Sequence, residues 1–328
     1  MANCESKITN ICIGDVSHVI REDTRVYLSD YVSSNNSISQ AIFLKACQDA
    51  TGKTLVITPY ITSDGVIGSW IFSSATFDVS SVNDLHIVGT GGAKITFSTN
   101  TSFKIADGFT LSNIKVLKVA SLESGFMMNE GATAHFNNVT CVPTGTSTDV
   151  SYGIALNTSG AVYLDGCSGL FAVNTGTDET TRANCVAYYN NCTTPASTVR
   201  IGLGCTNYIK NCILPNTSYY GTIYCTNCVC LGVRTFTGNI QTSTWSPPTM
   251  RFVGCDITGV GSVNFGESGN TVFVGCNIGH AGTPAYSISS GYTAIFEGCK
   301  IAGKASDLSG KTGVTLGHCL FDDGVYPS

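Results

Sequence analysis

Phe252-Val-Gly-Cys-Asp-Ile257 returns as Phe273-Val-Gly-Cys-Asn-Ile278 and again as Phe296-Glu-Gly-Cys-Lys-Ile301. A phrase that recurs at a near-constant interval marks a repeat architecture, in which each unit buries its apolar face only by stacking on its neighbours. The same phrase stands upstream as Leu111-Ser-Asn-Ile114, Phe136-Asn-Asn-Val139, Leu164-Asp-Gly-Cys167, Tyr189-Asn-Asn-Cys192, Ile209-Lys-Asn-Cys212 and Cys225-Thr-Asn-Cys228, and downstream as Leu316-Gly-His-Cys319. Measured from its fourth residue, the intervals run 25, 28, 25, 20, 16, 27, 21, 23 and 20, so extra residues fall between phrases and not within them.

The residue types say what the phrase does. An apolar or aromatic first residue followed in most copies by a polar one (Asp165, Lys210, Glu297) is the alternation of a strand with one buried face. The third residue is Asn or Gly in nine copies and His318 in the tenth, the types that adopt a left-handed backbone at least cost. A small residue, mostly Cys, then turns inward. Two short strands meeting at a one-residue corner, repeated coil after coil, predict an all-β chain: a right-handed parallel β-helix, or solenoid.

Two further stretches fit this reading. Val26-Tyr-Leu-Ser-Asp-Tyr31, Ser39-Gln-Ala-Ile-Phe-Leu-Lys-Ala46 and Thr54-Leu-Val-Ile-Thr-Pro-Tyr60 read as strand, helix and first coil, and Leu85-His-Ile-Val-Gly-Thr-Gly91 to Ile95-Thr-Phe97 as the next coil. With the ten phrases, this order resembles the pectate-lyase-like β-helix superfamily, and within it viral (phage) tailspike and tail-fibre proteins, over roughly residues 26 to 321. It departs from the family opening in two places. No Gly separates Pro59 from Tyr60, and Ser34-Asn-Asn-Ser37 replaces an Asp-Gly pair. The resemblance implies a virion surface protein, a tailspike or receptor-binding fibre that recognises a host surface polysaccharide, assembled as a homotrimer. A polysaccharide depolymerase of the same shape, hydrolase or lyase, is the alternative, and a head or tail decoration without a ligand is the third.

The expected organisation is an N-terminal arm over residues 1–33, a virion-attachment or subunit-contact segment touching other virion proteins, and a β-helix over 34–328. A capping helix is expected at about 37–51, with Ser37 as its cap, Ile38, Ala41, Ile42 and Cys47 on one face, and Gly52 as its stop. It would close the open end of the solenoid. Long insertions at 143–160, 168–187 and 231–250 are read as loops that carry recognition.

Composition narrows the function. A net charge of −5 without a basic run argues against nucleic acid, and no apolar run approaches a membrane span. Met1-Ala-Asn-Cys-Glu-Ser-Lys7 has no apolar core of a signal peptide, so synthesis in a host cytoplasm and release with a virion are expected. Eight of the 16 Cys stand in the phrase column, where strand spacing of about 4.7–4.9 Å exceeds the Cβ separation of about 3.5–4.5 Å that a disulfide needs. A ladder of buried free thiols follows. Cys225, Cys228 and Cys230 mimic a zinc knuckle but occupy inward phrase positions, and neither metal nor cofactor is expected.

Candidate chemistry rests on two groups. Cutting a glycosidic bond takes paired carboxylates, and Asp149, Asp165, Asp178 and Glu179 stand on neighbouring coils, with Asp256, Glu267 and Glu297 as a second set. The calcium-binding Asp cluster of pectate lyases is not recognisable, so pectin cleavage is not expected. Tyr152, Tyr188, Tyr219, Tyr220 and Trp245 sit in or beside the insertions as candidate sugar-binding rings. Asp256, Asn277 and Lys300 share one outward position on three successive coils, a polar column.

Overall fold

The computed structural model describes residues 10–13, 16–19, 24–32, 35–97, 102–118, 125–143, 152–156, 159–174, 185–194, 205–215, 218–220, 222–237, 249–266 and 269–325. For residues 10–13, 16–19, 118, 143, 152, 173, 174, 218, 220 and 237 the backbone alone is described.

The opening residues of every phrase lie on one sheet. Its 13 strands run parallel in chain order from Arg25–Tyr27, Thr54–Ile57 and His86–Gly89 to Val314–Gly317, and the last ten each carry the start of one copy of the phrase. The chain is a parallel β-helix, as the repeat predicts. All ten third residues turn the corner with φ between 51 and 61°, from Asn113 at 56° to His318 at 51°. That is the left-handed region, which Asn and Gly reach most cheaply. Inside the corner a column of Ile114, Val139, Cys167, Cys192, Cys212, Cys228, Cys255, Cys276, Cys299 and Cys319 is buried.

Two smaller sheets complete the first coils. One runs from Ser37–Ile38 through Trp70–Phe72, Lys94–Phe97 and Lys115–Lys118 to Thr140–Pro143. The other runs from Thr76–Asp78 through Ser102–Ile105, Phe126–Met128 and Tyr152–Leu156 to Leu170–Asn174. In the later coils the two faces merge into one bent sheet, because Val229–Thr237, Asp256–Gly266 and Asn277–Ile288 continue around the second corner. Register shifts between Cys230 and Val233 and between Val260 and Ser262 mark the bend, with Gly232 and Gly261 both at φ 67°. The expected insertions are thus partly scaffold: Tyr152–Leu156, Leu170–Asn174 and most of Val229–Thr237 build faces of the solenoid.

Bulk in the core shifts along the axis. Phe43, Phe72, Phe77, Phe97, Phe103, Phe109, Phe126 and Phe136 fill the first coils, and Phe252, Phe273 and Phe296 stack in the last at 5.3 and 4.8 Å. The helix, α1 (Gln40–Asp49), is shorter than expected and is capped by Ser39, whose Oγ accepts from the Ile42 amide. Ser37 and Ile38 instead pair in parallel with Ile71 and Phe72. The helix seals the first coil with Phe43, whose ring meets Phe72, Phe103 and Phe77 at 5.1, 5.4 and 5.8 Å. No helix among the described residues is long and apolar enough to cross a membrane.

Candidate functional site

The outward face of the long sheet presents side chains in columns, because parallel in-register pairing places equal positions of successive coils one strand spacing apart. The central column reads Thr110, His135, Tyr163, Tyr188, Tyr208, Tyr224, Arg251. Five of these are aromatic and lie face to face. Ring centroids are 4.7 Å apart from His135 to Tyr163, 4.7 Å from Tyr163 to Tyr188, 5.2 Å from Tyr188 to Tyr208 and 5.1 Å from Tyr208 to Tyr224, with planes within 14° of parallel. The rings stay in solvent contact, at 37% exposure for Tyr163 and Tyr188 and 42% for Tyr208.

Two columns border this ladder. On the corner side stand the polar residues Asn137, Asp165, Asn190, Lys210 and Thr226, and on the other the half-buried Thr133, Ala161, Val186, Thr206 and Thr222. The Asp165 carboxylate is held in place: its Oδ1 accepts from Asn190 Nδ2 at 2.9 Å and from Asn191 Nδ2 at 3.4 Å.

The stack decides what the tyrosines offer. A sugar packs its apolar face against the face of a ring. In this ladder both faces of Tyr163, Tyr188 and Tyr208 are covered by neighbouring rings, so they show edges and hydroxyls. The result is a comb of phenol groups, one per coil, able to donate and accept hydrogen bonds. Tyr188 therefore reaches the surface with its ring edge and hydroxyl, both of its faces being covered by Tyr163 and Tyr208.

Other expected site residues are dispersed. Tyr219 is fully buried, stacked on Phe236 at 5.5 Å, so it is a core residue and not a sugar contact. The reason is parity: Ser218–Tyr220 pairs in register with Thr235, Phe236 and Thr237, and the middle position points inward. Tyr152 and Tyr220 lie on strands whose side chains at those positions are not described, and Trp245, Asp149, Asp178 and Glu179 fall outside the described residues. Asp165 is thus the one member of the first carboxylate group whose setting is given, and its column neighbours are Asn137 and Asn190. In the second group, Glu267 is outside the described residues. Asp256 and Glu297 stand on opposite sides of the corner two coils apart, and Glu297 pairs with His318 Nδ1 at 2.8 Å. The column Asp256, Asn277, Lys300 forms as expected, with Asn277 Nδ2 donating to Asp256 Oδ1 at 3.3 Å.

The cysteines behave as a core. The corner cysteines, from Cys167 to Cys319, form no disulfide, and their thiols bond to backbone: Cys167 Sγ donates to the Phe136 carbonyl one coil back at 3.1 Å, and Cys319 Sγ to that of Phe296 at 3.3 Å. Cys225, Cys228 and Cys230 are at most 1% exposed, in the inward positions that the phrase assigns them. Burial pushes the Cys225 thiol well up, and that of Cys230 up to about 12.

The tyrosine ladder was within reach of the sequence. The residue just before each phrase, read down five successive copies, is His135, Tyr163, Tyr188, Tyr208 and Tyr224. The insertions point to Tyr188 alone, since His135, Tyr163, Tyr208 and Tyr224 lie outside them. Comparison with protein-family models, with curated proteins and with solved structures finds no match to this chain.

Proposed function

We propose that this β-helix binds an extended polysaccharide laid along its long sheet, parallel to the solenoid axis. The observation that carries the reading is the aromatic ladder and the polar column beside it, running in register over five coils, with a phenol hydroxyl on each of four coils and Asp165, Asn190 and Lys210 alongside. Extended sugar chains repeat hydroxyls along their length, and a row of fixed donors and acceptors on a rigid sheet meets them without loss of loop entropy. The uninterrupted parallel fold is consistent with a polysaccharide-binding or tailspike-like protein. The sequence resemblance supports placing this role on a virus particle as a tailspike or receptor-binding fibre. There the segment at 1–33 would contact other virion proteins and three copies would assemble.

The test is incubation of the purified protein with surface-polysaccharide extracts from a bacterial panel, with binding measured by calorimetry and soluble products by mass spectrometry. Binding without fragments, weakened by Lys210→Ala and by Tyr208→Phe, is the expected result. Defined repeat-unit fragments would make the protein a depolymerase. Absence of binding to any extract, with the protein folded and retained on its particle, would leave a structural decoration. Sedimentation as a monomer at micromolar concentration would remove the trimer.

A further inference from the structure

Four phenols stacked in solvent contact have a reactivity that a lone tyrosine lacks. Tyr163, Tyr188, Tyr208 and Tyr224 follow one another on successive coils with centroids at 4.7, 5.2 and 5.1 Å. One-electron oxidation of a phenol, with loss of its proton, leaves a phenoxyl radical whose spin is shared with the ring carbons beside the oxygen. Two such radicals held side by side combine before either diffuses, since a positioned pair behaves as though at very high concentration.

We propose that this ladder is a site of oxidative tyrosine coupling, which welds adjacent coils through a carbon–carbon bond, first between Tyr163 and Tyr188. That pair has the shortest centroid distance, 4.7 Å, and the most nearly parallel planes, 4° apart. The oxidant is a peroxide acting through a haem peroxidase. Each phenol gives up one electron and one proton, and the two radicals join at ring carbons ortho to oxygen. The two hydrogens on those carbons then shift to the oxygens, restoring two phenols. The protein loses two hydrogen atoms in all, and one hydrogen peroxide becomes two waters.

The rings can reach this geometry because they sit on the sheet surface, where rotation about Cα–Cβ displaces solvent and not core. Tyr189, next in sequence to Tyr188, provides an internal control. It is 3% exposed, and its hydroxyl accepts from the Ala172 amide at 2.8 Å. The bond would tie coils whose attachment otherwise rests on backbone hydrogen bonds and packing, on the face that the proposed function exposes, but the reaction requires no ligand there.

The four tyrosines fall on four successive tryptic peptides, 119–182, 183–200, 201–210 and 211–234, so every coupling joins two peptides. The full-length protein is treated with peroxidase and limiting hydrogen peroxide at two protein concentrations, digested, and sequenced by fragmentation. The expected product is 119–182 joined to 183–200 through Tyr163 and Tyr188, two hydrogens lighter than their sum, in a yield independent of protein concentration. Tyr188→Phe keeps the ring and the stack but removes the phenol, and it abolishes this link while sparing one between Tyr208 and Tyr224. Links that form only between molecules and rise with concentration, a product joined at Tyr189, or an unchanged yield in Tyr188→Phe would each overturn the proposal. So would oxidation of the folded wild-type protein that leaves all four peptides unjoined.

Discussion

Asn138 donates from Nδ2 to the Oδ1 of Asn113, 3.0 Å away on the preceding coil, and both residues hold left-handed backbones, at φ 53 and 56°. The corner is therefore stabilised twice over, by a residue type that tolerates the conformation and by an amide that ties one coil to the next. Asn138→Ala is expected to lower stability by about 1–2 kcal/mol, the usual excess of an alanine in this region. Asn138→Gly removes the same side-chain bond without the backbone strain and should cost less. Denaturant midpoints of the two variants decide it, and equal losses would show that the amide bond and not the φ angle governs the corner.

Tyr219 supplies a test of the corrected site. Its hydroxyl is buried beside the Cys230 thiol without a well-formed hydrogen bond among the described residues, and burial pushes its pKa well up. A buried hydroxyl left unpaired costs about 1–3 kcal/mol, so Tyr219→Phe should leave stability unchanged or raise it by about 1 kcal/mol. Ligand binding should not change. A marked loss of stability would reveal a partner for this hydroxyl.

Alkaline pH should unfold the chain through its buried acids. Burial pushes the thiols of Cys47, Cys225 and Cys319 up and that of Cys230 up to about 12, and it pushes the Tyr292 phenol up to about 12 as well. Unfolded thiols titrate near 8.5. Between that pH and the folded value, the folded chain keeps protons that the unfolded chain has lost. Stability is thus complete below the unfolded pKa and falls as pH rises through the folded one. Denaturant midpoints should be flat around neutrality and decline above about pH 8.5. Thiol alkylation should stay slow until unfolding. A midpoint that rises with alkaline pH would contradict this.

Phe43 is the plug of the first coil. Removing a buried Phe ring costs about 3–5 kcal/mol, and here the loss falls on three aromatic contacts, with Phe72, Phe103 and Phe77. Phe43→Ala should therefore loosen the first coils before the last. Hydrogen exchange would show early loss of protection in strands Thr54–Ile57 and Trp70–Phe72, with Phe273 and Phe296 still stacked in protected coils. Uniform loss of protection along the axis would mean that the solenoid unfolds as one unit.

Much of this architecture was legible because its determinants are local. A left-handed corner demands Asn, Gly or a tolerated substitute, and the phrase displays that demand ten times. The inward cysteines follow from the same count. The bend of the later coils was not legible, since Gly232 and Gly261 look like loop glycines until the strands on either side are seen to continue. Ser39 rather than Ser37 caps α1 for a similar reason: the pairing of Ile38 with Phe72, a contact between distant residues, draws Ser37 into a sheet. Tyr219 was misplaced because its parity is set by Phe236 across the sheet and not by its own neighbours.

The register of the long sheet turns the molecule into a ruler. Any two backbone positions on one outward column are separated along the axis by a whole number of strand spacings of about 4.8 Å. A linear molecule whose own period is commensurate with that spacing stays in phase from His135 to Arg251, and each added coil adds an equivalent contact. One whose period differs drifts out of step after a few units, as the marks of a vernier do, and further coils add nothing. Selectivity by length and pitch is thereby written into the backbone pairing, before any side chain is chosen.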